Sequence, residues 1–306
     1  MTRVAAIDCG TNSIRLLVAD VDGNRKVEVH REMRVVRLGE GVDRTGSLSA
    51  AALERTRVAL VDYAARCAEL GVEGTRMVAT SATRDATNRS AFVEIVSSTL
   101  GVEPEVVTGD EEAALSFAGA TAGLDPADGP FLVMDIGGGS TEIVLGTAEV
   151  EAASSVDIGC VRLTERHLHD DPPTAEQVTA ARVDVDEALS RALAVVPAGQ
   201  ARTAIGLAGS VTTVAALALG LASYQPERIH RSRVSAEQVQ AVTERLLAMT
   251  RAERAALPVM HPGRVDVIGG GALILQRCVG RLGLVEVVVS ESDILDGIAM
   301  SVTGDR

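Results

Sequence analysis

Two segments of the chain repeat one pattern of acidic, small and polar residues that could bind phosphate and a metal ion. AIDCGTNSIRLLVA, residues 6–19, aligns without gaps on VMDIGGGSTEIVLG, residues 133–146. Asp8 falls on Asp135, an offset of 127 residues, which is about the length of a domain. The repeat predicts two similar halves, each of which begins with the same element.

The turn inside each copy has the residues of an anion site. Each copy reads as an apolar strand, a turn of glycine and small polar residues, and a second apolar strand, which is typical of a β-hairpin. Glycine lets the backbone point its N–H groups inward, and such a nest binds phosphate without side-chain charge. The predicted phosphate-binding residues are Gly10, Thr11, Asn12 and Ser13 in the first copy and Gly137, Gly138, Gly139 and Ser140 in the second.

Two acidic residues, Asp8 and Asp135, end the strands that precede these turns. A carboxylate repels an anion, so we expect both to hold a divalent cation through water, as Mg²⁺ sites do, with Mn²⁺ as the alternative ion. The cation would offset the charge of the phosphate. One such motif alone is typical of an ordinary hairpin turn, whereas two in register favour a binding site.

The composition excludes several classes of phosphate-handling protein. The net charge of −13 argues against a general nucleic-acid binder and predicts no DNA partner, since such binding depends on many Lys and Arg side chains. Lys26 is the only lysine, which excludes a Walker A loop and a protein-kinase catalytic lysine. Any anion must therefore meet backbone donors, arginines or a cation.

The sequence has neither a long apolar run nor a signal-peptide pattern, although 46% of its residues are hydrophobic and its mean hydropathy is +0.20. We expect a cytoplasmic protein with no membrane partner. Its cysteines are isolated from one another and from histidine at metal-ligand spacing, which predicts reduced, buried thiols. They are Cys9, Cys67, Cys160 and Cys278.

Strand and helix patterns alternate after the first hairpin. The predicted order is a strand at 27–39, a helix at 48–71, a strand at 77–86 ending in a polar turn, a helix near 89–101, a strand at 105–109 and a helix opening at 110–112. GLDPADGP, residues 123–130, has turn chemistry and separates an N-terminal half, 1–125, from a C-terminal half, 126–292, with a helical insertion. The tail, 293–306, is predicted to form a helix that packs on the first half.

The ordered set of motifs resembles a known family. IDCGTNSIRLLVAD, VATSATRDATNR, VTGDEEAALSFAG, MDIGGGSTEIVLG, GLAGSVTTVAAL and VIGGGALIL follow the order of the exopolyphosphatase and guanosine pentaphosphate phosphohydrolase family, within the actin-like ATPase superfamily. The resemblance covers nearly the whole chain. It implies an α/β fold of two ribonuclease-H-like halves, each a mixed sheet with flanking helices, and a cleft between them. It also implies a reaction in which Mg²⁺ helps water attack a terminal phosphorus.

The resemblance further implies roles for single residues. Glu112, the second glutamate of GDEEA, matches the family's general base, and Arg84 in SATRDA matches its phosphate-contacting arginine. The neighbouring acids have simpler expected roles. Glu111 is expected only to favour the first turn of a helix, and Asp85 to cap one.

The second half supplies further candidates. The family match adds Thr141 to the phosphate-binding residues and makes Glu142 a contact of metal or water. Gly209 and Ser210 open a helix after an apolar strand, where an anion site and a simple cap are both open. Two basic clusters could guide a long anion or form a solvated face. They are Arg162, Arg166, His167 and His169, and Arg228, His230, Arg231 and Arg233.

Several functions stay open at the level of sequence. Inorganic polyphosphate and guanosine pentaphosphate are both possible substrates, since the chemistry at the terminal phosphate is the same. Longer members of the family carry extra C-terminal helical domains, so a short chain is expected to take short polyphosphates or a nucleotide and to act as a homodimer. A kinase of the superfamily and a non-catalytic phosphate-binding regulator are the remaining alternatives.

Overall fold

The computed structural model describes residues 1–23 and 25–302. The chain divides into two compact units. The first is Met1–Ala122 together with the segment that begins at Asp293, and the second is Gly123–Ser292. The boundary expected after residue 125 falls within the same turn-rich stretch, and residues 303–306 of the predicted tail lie outside the described residues.

The first unit is built on a mixed sheet in the order β3-β2-β1-β4-β5. Its strands are β1 (Thr2–Cys9), β2 (Ser13–Asp22), β3 (Arg25–Val35), β4 (Gly74–Ala79) and β5 (Glu105–Val106). β1 pairs antiparallel with β2 and parallel with β4, so it lies inside the sheet. Its apolar run at residues 4–7 is buried on both faces, as a central strand requires.

Helices cover both faces of this first sheet. They are α1 (Val42–Thr45), α2 (Ala50–Glu69), α3 (Ser81–Asp85), α4 (Arg89–Leu100), α5 (Gly109–Thr121) and, from the far end of the chain, α13 (Ile294–Ser301). Leu60 of α2 and Phe92 of α4 share one core with Ile14 of β2. Leu17, which points to the opposite face, packs in a second core with Ile298 of α13. The tail therefore covers the side of the sheet that α2 and α4 leave open.

Two local expectations in this unit were wrong. The residues after β4 form the short helix α3 and not a polar turn, because the side chains of Ser81 and Thr83 turn inward and are buried. Asp85 does not cap the next helix: it is the last residue of α3, and Asn88 is the N-cap of α4. The link that ends at Asn88 separates the two helices, so the acid lies too early in the chain to cap α4.

The second unit contains a mixed sheet in the order β10-β11-β9-β6-β7-β8. Its strands are β6 (Phe131–Ile136), β7 (Thr141–Gly146), β8 (Val150–Val156), β9 (Thr203–Leu207), β10 (Arg233–Ser235) and β11 (Glu286–Val289). β6 pairs antiparallel with β7 and parallel with β9, as β1 pairs with β2 and β4 in the first unit. The sequence repeat therefore forms hairpins at equivalent places in two sheets.

The second sheet is also flanked by helices. They are α6 (Cys160–His167), α7 (Ala175–Val195), α8 (Ala208–Ala218), α9 (Pro226–Ile229), α10 (Ala236–Ala248), α11 (Arg251–Ala255) and α12 (Ile268–Leu282). Short 3-10 turns lie at Pro126–Asp128, Ala198–Gln200 and Pro262–Arg264. α7 is the predicted helical insertion, and its Leu189 shares a core with Met134 of β6 and Leu273 of α12.

The predicted fold class, an α/β protein of two mixed sheets with flanking helices, is confirmed. Each sheet begins with the antiparallel hairpin that carries the repeated motif. Within residues 1–23 and 25–302, no helix is both long enough and apolar enough to cross a bilayer.

Candidate active site

The turn of the first hairpin is closed by its own backbone and supported from below by α3. The amide of Gly10 donates to the carbonyl oxygen of Ser13 over 3.0 Å. The hydroxyls of Thr11 and Ser81 lie 2.9 Å apart and share a hydrogen bond. Since the amide of Gly10 closes the turn, the amides that the turn can offer to an anion are those of Thr11 and Asn12.

The turn of the second hairpin repeats this closure and is held by α6. The amide of Gly137 donates to the carbonyl of Ser140 over 3.0 Å, and the amide of Cys160 at the start of α6 donates to the carbonyl of Gly137 over 2.9 Å. Gly159 allows this approach, because a Cβ at that position would lie only 2.4 Å from the carbonyl oxygen of Gly138. The predicted donors Gly138 and Gly139 are therefore clamped against a helix start.

Thr141 occupies a different place from the other residues predicted to bind phosphate in this turn. It is the first residue of β7 and is fully buried. Its hydroxyl donates to the carbonyl of Ile158 over 2.6 Å. Because a threonine hydroxyl has a single proton, Thr141 has no side-chain donor left for a phosphate in this arrangement.

The two hairpins differ in the residue that lies opposite the repeated aspartate. Asp8 faces Arg15 across the first hairpin, whereas Asp135 faces Glu142 across the second. Arg15 donates to Oδ2 of Asp8 from Nε over 2.9 Å and from Nη2 over 2.5 Å. The first unit therefore presents an ion pair at the position where the second presents two carboxylates.

These acids fit a hard divalent cation. Asp135 and Glu142 are 6% and 1% exposed, and buried like charges on facing strands disfavour each other unless a cation lies near. Ser155 donates to Oε1 of Glu142 over 2.7 Å and so orients that carboxylate. Oδ1 of Asp8 is buried and has no hydrogen-bond partner in the described part of the chain, and burial raises the pKa of Asp8, an effect that Arg15 only partly offsets.

The described residues do not contain three or more His, Cys, Asp or Glu side chains close enough together to form a complete protein cage for a metal. Mg²⁺ is commonly held by one or two carboxylates and keeps several waters. The pair formed by Asp135 and Glu142 matches that habit. A tightly enclosed structural metal does not fit these residues.

Arg84 and Glu112 come together at the start of α5. Nη1 of Arg84 donates to Oε2 of Glu112 over 3.1 Å and to the carbonyl of Val107 over 2.9 Å. Glu112 is 7% exposed, which is unusual for a glutamate unless it is paired. The structure thus brings together the two residues that the sequence singled out as catalytic.

The adjacent glutamate, Glu111, has a separate task. It forms a capping box with Thr108: the hydroxyl of Thr108 accepts from the amide of Glu111 over 3.2 Å, and Oε2 of Glu111 accepts from the amide of Thr108 over 2.8 Å. The hydrogen bonds that Oε2 accepts from the amide and the hydroxyl of Thr108 lower the pKa of Glu111. Its side chain therefore turns back onto the helix start, and only Glu112 faces inward.

Gly209 and Ser210 lie in the first turn of α8, which follows β9 directly. Ala208 takes a left-handed backbone conformation there, with φ of 70°, and such strain in a non-glycine residue is often found at functional sites. The guanidinium of Arg264 lies on the backbone of Gly209, where a Cβ would come within 2.2 Å of its Cζ. Arg264 also donates to the hydroxyl of Thr213 over 3.2 Å.

Arg264 was missed by the sequence reasoning. A cation beside the positive end of a helix is poorly placed unless an anion binds there. The signal was present in the sequence as the arginine of HPGRVDVIGGG, just before a glycine run. Its link to Gly209 depends on a contact between distant parts of the chain, which the sequence does not show.

The glycine-rich motifs of the second unit converge. Ser210 and Cys160, the residue whose amide holds the hairpin turn, both lie against Gly271. Gly271 of α12 allows both to pack closely, since a Cβ there would lie 2.1 Å from the hydroxyl of Ser210. The hairpin turn and the starts of α6 and α8 therefore pack together, and the first amides of α6 donate to carbonyls of the turn.

Comparison with known proteins shows the family to which this chain belongs. The model of the Ppx/GppA phosphatase family matches residues 17–304. The chain belongs to the Ppx/GppA phosphatase family. This confirms two predictions made from the sequence: that the chain belongs to this family, and that it is a phosphohydrolase.

Ppx/GppA relatives cover the chain from end to end. Exopolyphosphatase 2 of Mycobacterium tuberculosis is 53% identical, over 99% of this chain and 99% of its own length. The solved structure of an exopolyphosphatase-like protein superposes with a TM-score of 0.95 at 47% identity, covering 98% of this chain and 97% of that one. Guanosine-5'-triphosphate,3'-diphosphate pyrophosphatase of Vibrio atlanticus is 36% identical, over 79% of this chain and 48% of its own length.

The basic clusters of this Ppx/GppA chain are partly committed to ion pairs. Arg166 and His167 both contact Asp184 of α7, at 3.3 Å and 2.9 Å. In the other cluster, Arg233 pairs with Glu286 of the neighbouring strand, and Nδ1 of His230 accepts from the amide of Glu291 over 3.2 Å. These contacts stabilise the unit and leave fewer charges to meet a long anion.

The remaining members of the clusters lie at the surface or hold the backbone. Arg228 and His169 are exposed. Arg231 donates to the carbonyl of Gly123 over 3.3 Å from a backbone with φ of 62°. Arg162 lies in α6 and is partly buried.

Proposed function

We propose that this Ppx/GppA enzyme is an exopolyphosphatase, which hydrolyses the terminal phosphoanhydride bond of inorganic polyphosphate and releases orthophosphate. The observation that carries the proposal is the ion pair between the buried Glu112 and the partly buried Arg84. A buried carboxylate beside a guanidinium supplies a base for water and a cation for phosphate in one place. The 53% identity with Exopolyphosphatase 2 over nearly the whole of both chains supports this substrate.

In the proposed reaction, Glu112 takes a proton from the attacking water. The water oxygen bonds to the terminal phosphorus, the bridging P–O bond breaks, and its electron pair stays on the oxygen of the shortened chain. Arg84 binds oxygens of the terminal phosphoryl group, and its guanidinium stabilises the charge that develops there. The net charge of −13 makes such local donors necessary, because the protein as a whole repels a polyanion.

Backbone amides supply the rest of the phosphate contacts in this proposal. The turns that contain Gly10, Thr11, Asn12 and Ser13, and Gly137, Gly138, Gly139 and Ser140, offer amides, as does the start of α8 at Gly209 and Ser210. Glycine brings the chain close to a phosphoryl group at no side-chain cost. Arg264 adds a guanidinium to the start of α8.

Mg²⁺, or Mn²⁺ in its place, is the proposed cofactor. Asp135 and Glu142 would hold it, and Asp8 would bind a cation through water from the buried Oδ1. When bound, the ion would neutralise negative charge on the phosphoryl oxygens. The orphaned oxygen of Asp8 and the buried carboxylate pair support this assignment.

The test is phosphate release from polyphosphates of defined length, with and without Mg²⁺. We expect release of orthophosphate, one residue at a time from the chain end, and loss of the rate when the ion is removed. Purified wild-type enzyme that releases no phosphate from any chain length would disprove the proposal. A rate that is unaffected by chelation of divalent ions would show that the reaction does not need the metal.

Guanosine pentaphosphate is the second candidate substrate. The similarity to the guanosine-5'-triphosphate,3'-diphosphate pyrophosphatase of Vibrio atlanticus favours it, and the hydrolysis would use the same water and the same base. Turnover of both substrates, measured side by side at equal phosphate-end concentration, separates the candidates. A higher kcat/KM on the nucleotide would show that guanosine pentaphosphate, and not polyphosphate, is the preferred substrate.

Cytoplasmic location and a homodimeric state are also parts of the proposal. A second copy could lengthen the surface that a polyphosphate chain contacts. Light scattering of the purified enzyme tests the dimer. A strict monomer at working concentration would remove the dimer from the proposal without affecting the chemistry.

A further inference from the structure

One guanidinium joins the aspartate of the first hairpin to the far end of the chain. Arg15 binds Oδ2 of Asp8 through two nitrogens, and its third nitrogen, Nη1, donates to Oδ2 of Asp293. Asp293 lies 278 residues after Arg15 in the sequence but belongs to the same compact unit. Asp8 is therefore oriented by a residue of the C-terminal segment.

Asp293 is itself rigidly held. It is the N-cap of α13, accepting from the amide of Leu295 over 2.9 Å, and its own amide donates to Asp296 over 2.9 Å in a capping box. Its backbone carbonyl packs against Gly119 of α5, where a Cβ would come within 1.8 Å of the oxygen. Main-chain contacts on both sides fix the carboxylate that Arg15 meets.

The charges of this cluster favour a cation. Two carboxylates share one guanidinium, so Asp8, Arg15 and Asp293 together carry a net charge of minus one. Lys26 and Arg31 also lie near Asp293, but their charges are matched by the acids with which they pair, Asp296 and Glu28. Both aspartates are almost completely buried, and their interactions are weakly screened by water. Without the charge of Asp293, Arg15 would neutralise Asp8 alone and would repel a divalent ion next to it.

We propose that Asp293 is a positioning residue for Asp8: through Arg15 it fixes the Asp8 carboxylate with Oδ1 turned toward a divalent cation, and its charge restores the cation affinity that Arg15 would otherwise remove. The inference rests on the proposed function, in which Asp8 binds a cation through water. It makes the C-terminal segment part of the metal chemistry and not only a cover for the sheet.

Asp296 offers a matched control. It lies in the same helix and the same capping box, is 1% exposed, and pairs with Lys26 and Arg31 and not with Arg15. Asparagine is about as good an N-cap as aspartate, so Asp293→Asn keeps the cap of α13. Asp296 is the third residue of the helix, and asparagine there keeps a side-chain oxygen that can accept from the amide of Asp293. Each variant removes one charge. The two variants differ in whether the lost charge lies next to Arg15.

The experiment is Mn²⁺ binding to the full chain without substrate, followed by electron paramagnetic resonance, together with Mg²⁺-dependent rates. Asp293→Asn should weaken Mn²⁺ binding about tenfold, the size usual for a residue that orients a metal ligand, whereas Asp296→Asn should change it less than about twofold. At saturating Mg²⁺, kcat of Asp293→Asn should recover most of the wild-type value. Equal Mn²⁺ affinity in wild type and Asp293→Asn, or equal weakening in both variants, would overturn the proposal.

Arg15→Lys is a second variant, and it tests the proposal even if Asp293→Asn does not fold. A lysine has one nitrogen and cannot bridge both aspartates, so Mn²⁺ binding should weaken by a similar factor. The double variant with Arg15→Lys and Asp293→Asn should bind Mn²⁺ no more weakly than either single variant, since both substitutions remove the same link. Unchanged binding in Arg15→Lys would overturn the proposal as well.

These measurements separate the inference from the proposed function. Wild-type enzyme that binds Mn²⁺ and shows the expected order of variants, but releases no phosphate from polyphosphate, would disprove the substrate and leave the positioning role standing. Wild-type enzyme that releases phosphate, with variants that bind Mn²⁺ equally, would do the reverse.

Discussion

Arg84 donates a hydrogen bond of 3.1 Å to Glu112, whereas the adjacent Glu111 makes no such contact and caps the start of α5. The two glutamates are consecutive in the sequence but differ in direction, because side chains one residue apart point to different faces of a helix. One carboxylate is buried beside a cation, and the other is exposed at the helix start. The exposed glutamate thus supports the helix start, and the buried one is the proposed general base.

Glu112→Gln tests the general base. Glutamine keeps the shape and the contact with Arg84 but cannot take a proton, so kcat should fall by about 10²–10⁴-fold while KM changes little. Steady-state phosphate release measures both constants. Glu111→Gln is the matched control and should keep the rate, so equal effects of the two substitutions would contradict the division of roles.

The pH dependence of stability should report Glu111. Its folded pKa is lowered by the hydrogen bonds with Thr108, so the cap stabilises the fold above the unfolded pKa and loses that effect as pH falls through the folded pKa. Unfolding by urea, followed at several pH values below neutral, should show a shallower loss of stability in Glu111→Gln than in wild type. Parallel curves would show that the cap does not titrate in this range.

Gly159→Ala tests the clamp on the second hairpin turn. The new Cβ would lie 2.4 Å from backbone atoms of Gly138, so the turn or α6 must move. A displacement of about 1 Å in a catalytic site can cost about 10²-fold in rate, and we expect a loss of kcat/KM of that order. Gly199→Ala, where nothing lies within 4 Å, is the control, and activity equal to that control would show that the turn does not bind substrate.

Arg264→Ala should weaken substrate use. If its guanidinium binds a phosphoryl group at the start of α8, kcat/KM should fall about 10- to 100-fold, the usual worth of a hydrogen bond to a charged group. Arg264→Lys should restore only part of this loss, because lysine lacks the planar fork. The exposed Arg228 provides the comparison, and an equal loss in Arg228→Ala would indicate general attraction of the anion and not a specific contact.

Substitution of alanine for two helical glycines should change the free energy of unfolding in opposite directions. Gly119→Ala would place a Cβ 1.8 Å from the carbonyl of Asp293, and overpacking of this kind costs about 1–3 kcal/mol in the free energy of unfolding. Gly280→Ala, in open space on α12, should stabilise by about 0.5–1 kcal/mol because glycine is a poor helix former. Thermal unfolding measures both changes, and a stable Gly119→Ala variant would mean that α13 is not held where the structure has it.

Local pattern and ordered motifs predicted most of the fold. The gapless repeat indicated two hairpins, and Asp8 and Asp135 are the penultimate residues of equivalent strands. Resemblance, and not spacing, distinguished Glu112 from Glu111, because both residues favour the first turn of a helix. The structure places Arg84 beside Glu112, and the role of Glu112 as general base stays a prediction.

The sequence could not show which groups neutralise one another across long separations. Arg15 and Glu142 occupy the same place in the repeat, but their opposite charges give the two hairpins different partners for the aspartate. Arg264 gained its importance only through its contact with Gly209, and Asp293 through its contact with Arg15. Such pairs depend on how distant elements pack, which periodicity does not encode.

The discontinuous first unit has a consequence for biosynthesis. Residues 123–292 are contiguous and can adopt their native contacts as soon as they leave the ribosome, whereas the first unit receives α13 only after that whole stretch has been made. Until then the sheet face around Leu17 stays uncovered and Arg15 lacks Asp293. The half of the enzyme that is translated first is therefore the last to mature.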